Sequence, residues 1–210
     1  SRTFAARTAA SRTAFNGRSR ACIALRLGCH FSRNPRYLRP RDFFTGIIEY
    51  ERWLMSVAAT VEKFLTDQKI DFEKNGNSFL VTLPGEKKLQ THCALVIGDH
   101  SLSINAFVIR KPDENEAAVH HWCMSKNASM YGLAYAINEL GDIYLVGRLP
   151  LDAVNAQELD RVLGSVLQYS DSAFNPLLEL GFANAIRREW AWRVSRGESL
   201  ANLEAFSHLM

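Results

Sequence analysis

Four groups of residues in this 210-residue chain have the types that chemistry needs. His120, His121 and Cys123, with His92 and Cys93 earlier in the chain, hold the nitrogen and sulfur donors of a metal site. Zinc sites use paired cysteines or spaced histidines, and two adjacent histidines on a helix face different directions. No metal site is expected, and Cys123 reads as a small buried hydrophobe. Asp99, His100 and Ser101 have the side chains of a hydrolytic triad. Neighbours at a hairpin tip diverge, whereas a triad converges from separate elements, so turn chemistry is the simpler reason for them. Asp113, Glu114 and Glu116 are candidate paired carboxylates, but in the first turn of a helix they answer the partial positive charge there.

The fourth group is IRREWAWRVSR, Ile186 to Arg196, in which Arg187, Arg188, Arg193 and Arg196 interleave with Trp190 and Trp192. Tryptophan and arginine are enriched in binding hot spots, and a guanidinium stacks well on indole. Two readings stay open. Ile186, Trp190 and Val194 at i, i+4 and i+8 can be a packed helix stripe with the arginines in water. Alternatively, Arg187, Arg188, Trp190, Trp192, Arg193 and Arg196 form a surface for a partner, an anionic ligand or nucleic acid.

The dinucleotide, P-loop, nucleophile-elbow and zincin motifs are all absent, which weighs against those chemistries. No catalytic residue and no cofactor is assigned.

The net charge of +3 conceals a split. Residues 1–54 carry eleven arginines, no lysine and three acidic residues, a net +8, which leaves −5 for the remainder. Such a segment reads as an organelle transit peptide, as a basic arm for nucleic acid or anionic lipid, or as translation upstream of a start at Met55. The last is favoured, because G+C-rich DNA read through by translation gives arginine without lysine. Like-charge blocks stay disordered, so the expected division is a basic leader over 1–54 and one domain over 55–210. Only Asp42 to Leu54 has enough apolar content to add a helix. Cys22, Cys29 and His30 fall in the leader. No run of about 18 apolar residues predicts a membrane span, and no signal sequence or disulfide framework is present, so the expected location is the cytoplasm.

The elements that must position these groups follow in order. A first helix begins after Met55. Ile70 to Glu73 and Ser78 to Leu83 form a hairpin across Asn75-Gly76, and Gln90 to Ile97 and Ser101 to Arg110 form a second. Pro112 opens a helix to about Ser129, with Val119, Trp122 and Cys123 as its buried stripe. Leu133 to Ile137 and Ile143 to Leu149 are apolar at nearly every position, which predicts a strand pair in the middle of the sheet, covered on both faces. Asn155 and Glu158 mark a capped helix start, followed by the stripe Leu159, Val162, Leu163, Val166 and Leu167. Three short helices follow: Asp171 to Leu180 stopped by Gly181, Ala183 to Val194, and Ser199 to Leu209. Helices flanking clustered strands predict an α+β domain with a largely antiparallel sheet.

VTLPGEKKLQT, SLSINAFVIRKPDENE, YGLAYAINELGDIYLVGRLPL and FNPLLELGFANAIRREWAWRVSRGESLANLEAF together resemble the YbjN-domain family, in its actinobacterial branch. The resemblance runs from about Val57 to Phe206 and leaves the leader without a counterpart. It implies a type III secretion chaperone-like sandwich, typically a homodimer that holds an extended segment of another protein. The implied function is that of a non-enzymatic, cytoplasmic regulator of sensory transduction, and no catalytic motif is carried over.

Overall fold

In the computed structural model residues 40–210 are described, with side chains from Tyr50 onward. The chain divides after Trp53 into two units, and the second, 54–210, holds the fold considered below. Most of the basic leader, with Cys22, Cys29 and His30, lies outside the described residues. The stretch from Asp42 to Leu54 and the helix expected beyond Met55 form one helix, α1 (Pro40–Asp67). Its domain part buries Val57, Val61, Phe64 and Leu65 at helical spacing.

Six antiparallel strands follow: β1 (Asp71–Asn75), β2 (Ser78–Pro84), β3 (Gln90–Ile97), β4 (Ser101–Ile109), β5 (Leu133–Ile137) and β6 (Ile143–Pro150). Their order in the sheet is β1-β2-β3-β4-β6-β5. Gly76, at φ +59°, makes the tight turn between β1 and β2. The antiparallel α+β architecture is therefore present as the sequence predicts.

The strand pair β5–β6 differs from its expected place. β5 is an edge strand, and both strands alternate between buried and part-exposed residues instead of being covered on two faces. Continuous apolarity misleads here because Ala134, Ala136, Tyr144 and Val146 lie on the face opposite the core, where no helix among the described residues packs. The β5 edge is closed by a side chain: the Asn127 carboxamide accepts from Tyr135 N at 2.7 Å and donates to Tyr135 O at 3.2 Å. One amide thus stands where a seventh strand would pair.

The helix after β4 is also shorter than expected. α2 spans Glu116–Asn127, so Pro112, Asp113 and Glu114 precede it. The freed acidic residues serve the last long helix, α3 (Ala156–Arg196). The expected short helices from Asp171 to Val194 are parts of this 41-residue element, which carries Pro176 inside and breaks at Phe182 (φ −143°, ψ 17°). A broken helix exposes backbone groups that must find partners. Gly181 O accepts from the Asp113 and Glu114 amides and Leu180 O accepts from Asn115 Nδ2, while the Glu114 carboxylate caps Asn184 N at 2.6 Å. The segment before α2 therefore caps both sides of the break in α3.

At its start α3 has Asn155 as N-cap, whose Oδ1 accepts from Glu158 N, and the stripe Leu159, Val162, Leu163 and Val166 is buried. A 3-10 helix, Ala201–Leu209, ends the chain. Leu200, Leu203, Phe206 and Leu209 recur every three residues, which matches its three-residue turn.

Side chains from α1, α2 and α3 join one core with Phe79, Val81, Leu95, Leu102, Ile104, Val108, Ile143 and Leu145 from one face of the sheet. The architecture of this unit is two layers, helices on strands, and among the described residues no helix packs on the second face of the sheet.

Candidate functional site

The C-terminal arginines lie on the far part of α3. Ile186 is buried and Trp190 is half-buried, but Val194 is 57% exposed, so the apolar stripe runs out after one turn. Arg187 Nε donates to Leu209 O at 3.0 Å, and Arg193 donates to Glu189 Oε1 at 2.7 Å and to Ser199 O at 2.9 Å. Arg187 therefore ties the end of the 3-10 helix to α3, and Arg193 ties down the segment that leads into it. Trp192 is 44% exposed with the Arg196 guanidinium over its ring at 4.9 Å. Arg188 lines a shallow depression of about 230 Å³ with Asp113, Glu114, Asn184 and Ala185. The six residues thus share one helix but not one direction of use, and Arg188, Trp192 and Arg196 remain outward.

The other candidates are placed apart. Asp99 and His100 occupy the turn between β3 and β4, and Ser101 begins β4. Asp113 pairs with Arg110 at 2.5 and 2.7 Å, which holds its carboxyl below the usual carboxylate range. The Arg110 guanidinium also covers the buried Phe182 ring at 4.4 Å, so these charges clamp the helix break. Cys93 and Cys123 are free and buried, and burial pushes their thiols up to about 12 and about 11. Protonated thiols of that kind are poor nucleophiles and poor metal ligands. His121 is exposed, His92 meets Thr82 at 3.3 Å, and His120 Nε2 is 3.8 Å from Glu116 Oε1. Among the described residues no three His, Cys, Asp or Glu side chains converge as a metal site.

Two features escape reading by motif. The first is a polar pin between the β2–β3 loop and α3. Asp171 Oδ1 accepts from Lys87 N and Lys88 N at 2.7 and 3.0 Å, and Thr91 and Ser170 share a buried hydroxyl contact at 3.0 Å. Lys88 Nζ donates to Phe107 O, lies 3.5 Å from Ser170 Oγ and stands 5.3 Å above the Phe107 ring. Desolvation without a contacting carboxylate pushes the Lys88 ammonium down to about 8. A lysine beside a serine hydroxyl has the residue types of a nucleophilic pair, yet Ser170 is fully buried and no substrate can reach it. Between 79 and 84 residues separate the two sides of the pin, so no local pattern announces it.

The second is the open face of the sheet. Cross-strand register places Leu80, Ala94, Asn105, Val146 and Ala134 in one row, and beside it pairs Thr82 with His92 and Phe107 with Tyr144 and Ala136. Leu80, Val96 and Phe107 are 44%, 38% and 37% exposed there, while Ala94, Tyr144 and Val146 are half-buried by their neighbours. Phe107 and Tyr144 meet edge to face at 5.5 Å. Leu80, Val96, Phe107, Tyr144 and Val146 thus put apolar surface on this face, interleaved with Thr82, His92 and Asn105. The signal available in the sequence was the apolar residue at alternate positions that should have been polar, as in Leu80 and Val96.

Residues 58–179 match the sequence profile of YbjN, described as "Putative bacterial sensory transduction regulator". The chain belongs to the YbjN family. Uncharacterised proteins of Mycobacterium bovis and Mycobacterium tuberculosis are 55% identical to it over 132 residues, 63% of this chain and 72% of theirs. A relative in Mycobacterium leprae is 52% identical over 131 residues, 62% of this chain and 71% of its own. Among solved structures, this YbjN chain is similar to a chain of the ExsC-ExsE complex, with a TM-score of 0.46, 11% identity, and coverage of 59% of this chain and 95% of that one. It is also similar to the type III secretion chaperone SycH of Yersinia pestis, solved with a YscM2 fragment, with a TM-score of 0.41, 16% identity, and coverage of 54% and 96%. No helix among the described residues of the YbjN chain is long and apolar enough to cross a membrane.

Proposed function

We propose that this YbjN protein is a non-enzymatic regulatory domain that works in the cytoplasm by binding another polypeptide, in a chaperone-like way, and acts as a homodimer. The observation that carries the reading is the open sheet face, where Leu80, Val96 and Phe107 present apolar surface that no described helix covers. The family's description as a sensory transduction regulator agrees with a protein that acts by contact. The conspicuous polar groups of the domain, Lys88, Asp113, Glu114, Asp171 and Arg193, are engaged in holding loops and helix ends.

The alternative, an anionic ligand or nucleic acid on the C-terminal stretch, retains Arg188, Trp192 and Arg196 as its outward groups. Salt separates the two, since phosphate contacts weaken steeply with ionic strength and apolar contacts do not. The test compares the full chain with Val96→Asp/Phe107→Asp and with Arg188→Glu/Arg196→Glu, asking what each retains from a lysate at low and high salt. Protein retained at both salts and lost only in the first variant supports the reading. Nucleic acid released by salt and lost only in the second variant overturns it.

A further inference from the structure

We infer that the open face is the contact surface between two copies of this chain, packed sheet on sheet. The inference rests on the reading that this YbjN protein acts through polypeptide contact, and it names which polypeptide the face is built for.

The first argument is charge. Along β1 the open face carries Asp71 and Glu73, because Phe72 between them turns inward against Phe79 and Lys74 pairs with Glu62. Along β6 it carries Arg148, in register with Ser103 and one alternate position from Val146. Between these margins the surface is mainly apolar or neutral: Leu80, Thr82, Ala94, Val96, Asn105, Phe107, Tyr144 and Val146, with His92 beside Thr82 and the Lys88 ammonium 5.3 Å from the Phe107 ring. Asp71, Glu73 and Arg148 have no ion pair and no side-chain hydrogen bond among the described residues. A face that is acidic on one margin, apolar in the middle and basic on the other complements itself. A two-fold axis along the strands lays the β1 margin of each copy over the β6 margin of the other, as an isologous contact requires.

The second argument is area. Four strands of seven to nine residues, β2, β3, β4 and β6, form the body of the face. At ~4.8 Å between strands and ~3.3 Å per residue this is about 500 Å² per copy, so about 1,000 Å² in the pair, which meets the lower threshold of a biological interface and places the contact in the small, readily dissociating class below ~1,200 Å². A helix-in-groove partner is a poorer fit, because the face is broad, and an added strand is blocked at the β5 edge by Asn127. Two such faces pack at the usual ~10 Å separation of a sandwich, with Phe107 and Leu80 as the projecting side chains.

The test is the solution mass of the full chain by light scattering across a dilution series, with folding checked by circular dichroism. The wild type is expected at twice 23.7 kDa. Arg148→Glu alone sets like charges against each other and weakens the pair at least about tenfold, and Glu73→Arg in the same chain restores it. Rescue by the second reversal cannot come from misfolding. Val96→Asp gives a folded monomer. A monomeric wild type overturns the inference, as does a dimer whose mass is indifferent to all these changes. If a monomeric wild type still holds a different protein through Val96 and Phe107, the occupant and the homodimer are wrong and only the polypeptide-binding part of the proposed function stands. If the face variants change neither mass nor retention, both fail.

Discussion

At the scale of single residues, Lys88 is the most informative side chain in the domain. Its ammonium is held against a carbonyl, a hydroxyl and an aromatic ring, and desolvation lowers it from 10.5 to about 8. A lowered folded-state value means that the unfolded chain keeps a proton that the folded chain sheds between about pH 8 and 10.5. Stability owed to this group therefore rises with pH across that window and is flat below it. Urea unfolding of the wild type and Lys88→Met at pH 7, 9 and 10.5 is expected to show the wild type gaining on the variant as pH rises. A constant difference would mean that the amine is solvated in the folded state. The arginines teach the complementary lesson. Their composition suggested a binding surface, yet Arg187 and Arg193 are bonded to the carbonyls of Leu209 and Ser199. Composition shows which groups can bind, and only the path of the tail shows which are already bound.

At the scale of elements, α3 carries the consequence of one close approach. A β-carbon added at Gly181 would lie 2.9 Å from Pro112 Cβ and 3.4 Å from Val119 Cγ2. The helix break at Phe182 and the capping segment Asp113 to Asn115 both depend on that proximity. Gly181→Ala is expected to cost about 1–3 kcal/mol by forcing Pro112 and α2 outward. Gly164, in the same helix with nothing within 4 Å of an added β-carbon, is the control. Gly164→Ala is expected to stabilise by about 0.5–1 kcal/mol, since helical glycine carries an entropic cost. Thermal or urea unfolding of both variants decides this, and equal effects would remove the close-packing account. The helix stripe from Leu159 to Val166, the Asn155 cap and the two hairpin turns were legible in the sequence because 3.6-residue periodicity, capping and Asn-Gly turns are local. The break was read as a stop at Gly181 because local rules assign glycine to helix ends, whereas here it makes room for a neighbouring element.

At the scale of the molecule, the basic segment and the domain pose separate questions. The proposed boundary at Met55 gives a definite expectation: a shortened chain beginning there unfolds cooperatively, within roughly 2–4 °C of the full chain, the shift that ~1 kcal/mol makes in a domain of this size. A larger loss by calorimetry would show that the preceding residues stabilise the fold. The sequence by itself determined the class, the strands, the family and the charge split, since each is written in neighbouring residues or in their sum. The tertiary structure alone decided which face of the sheet the described helices leave uncovered. Apolar runs look the same whether a helix or another molecule covers them, and the helices all join the one core that includes Phe79 and Leu95. It also decided that β5 lies at an edge, because strand order depends on how β6 returns beside β4. Pairing between distant segments is a property of the folded chain, and so is the surface that pairing leaves open.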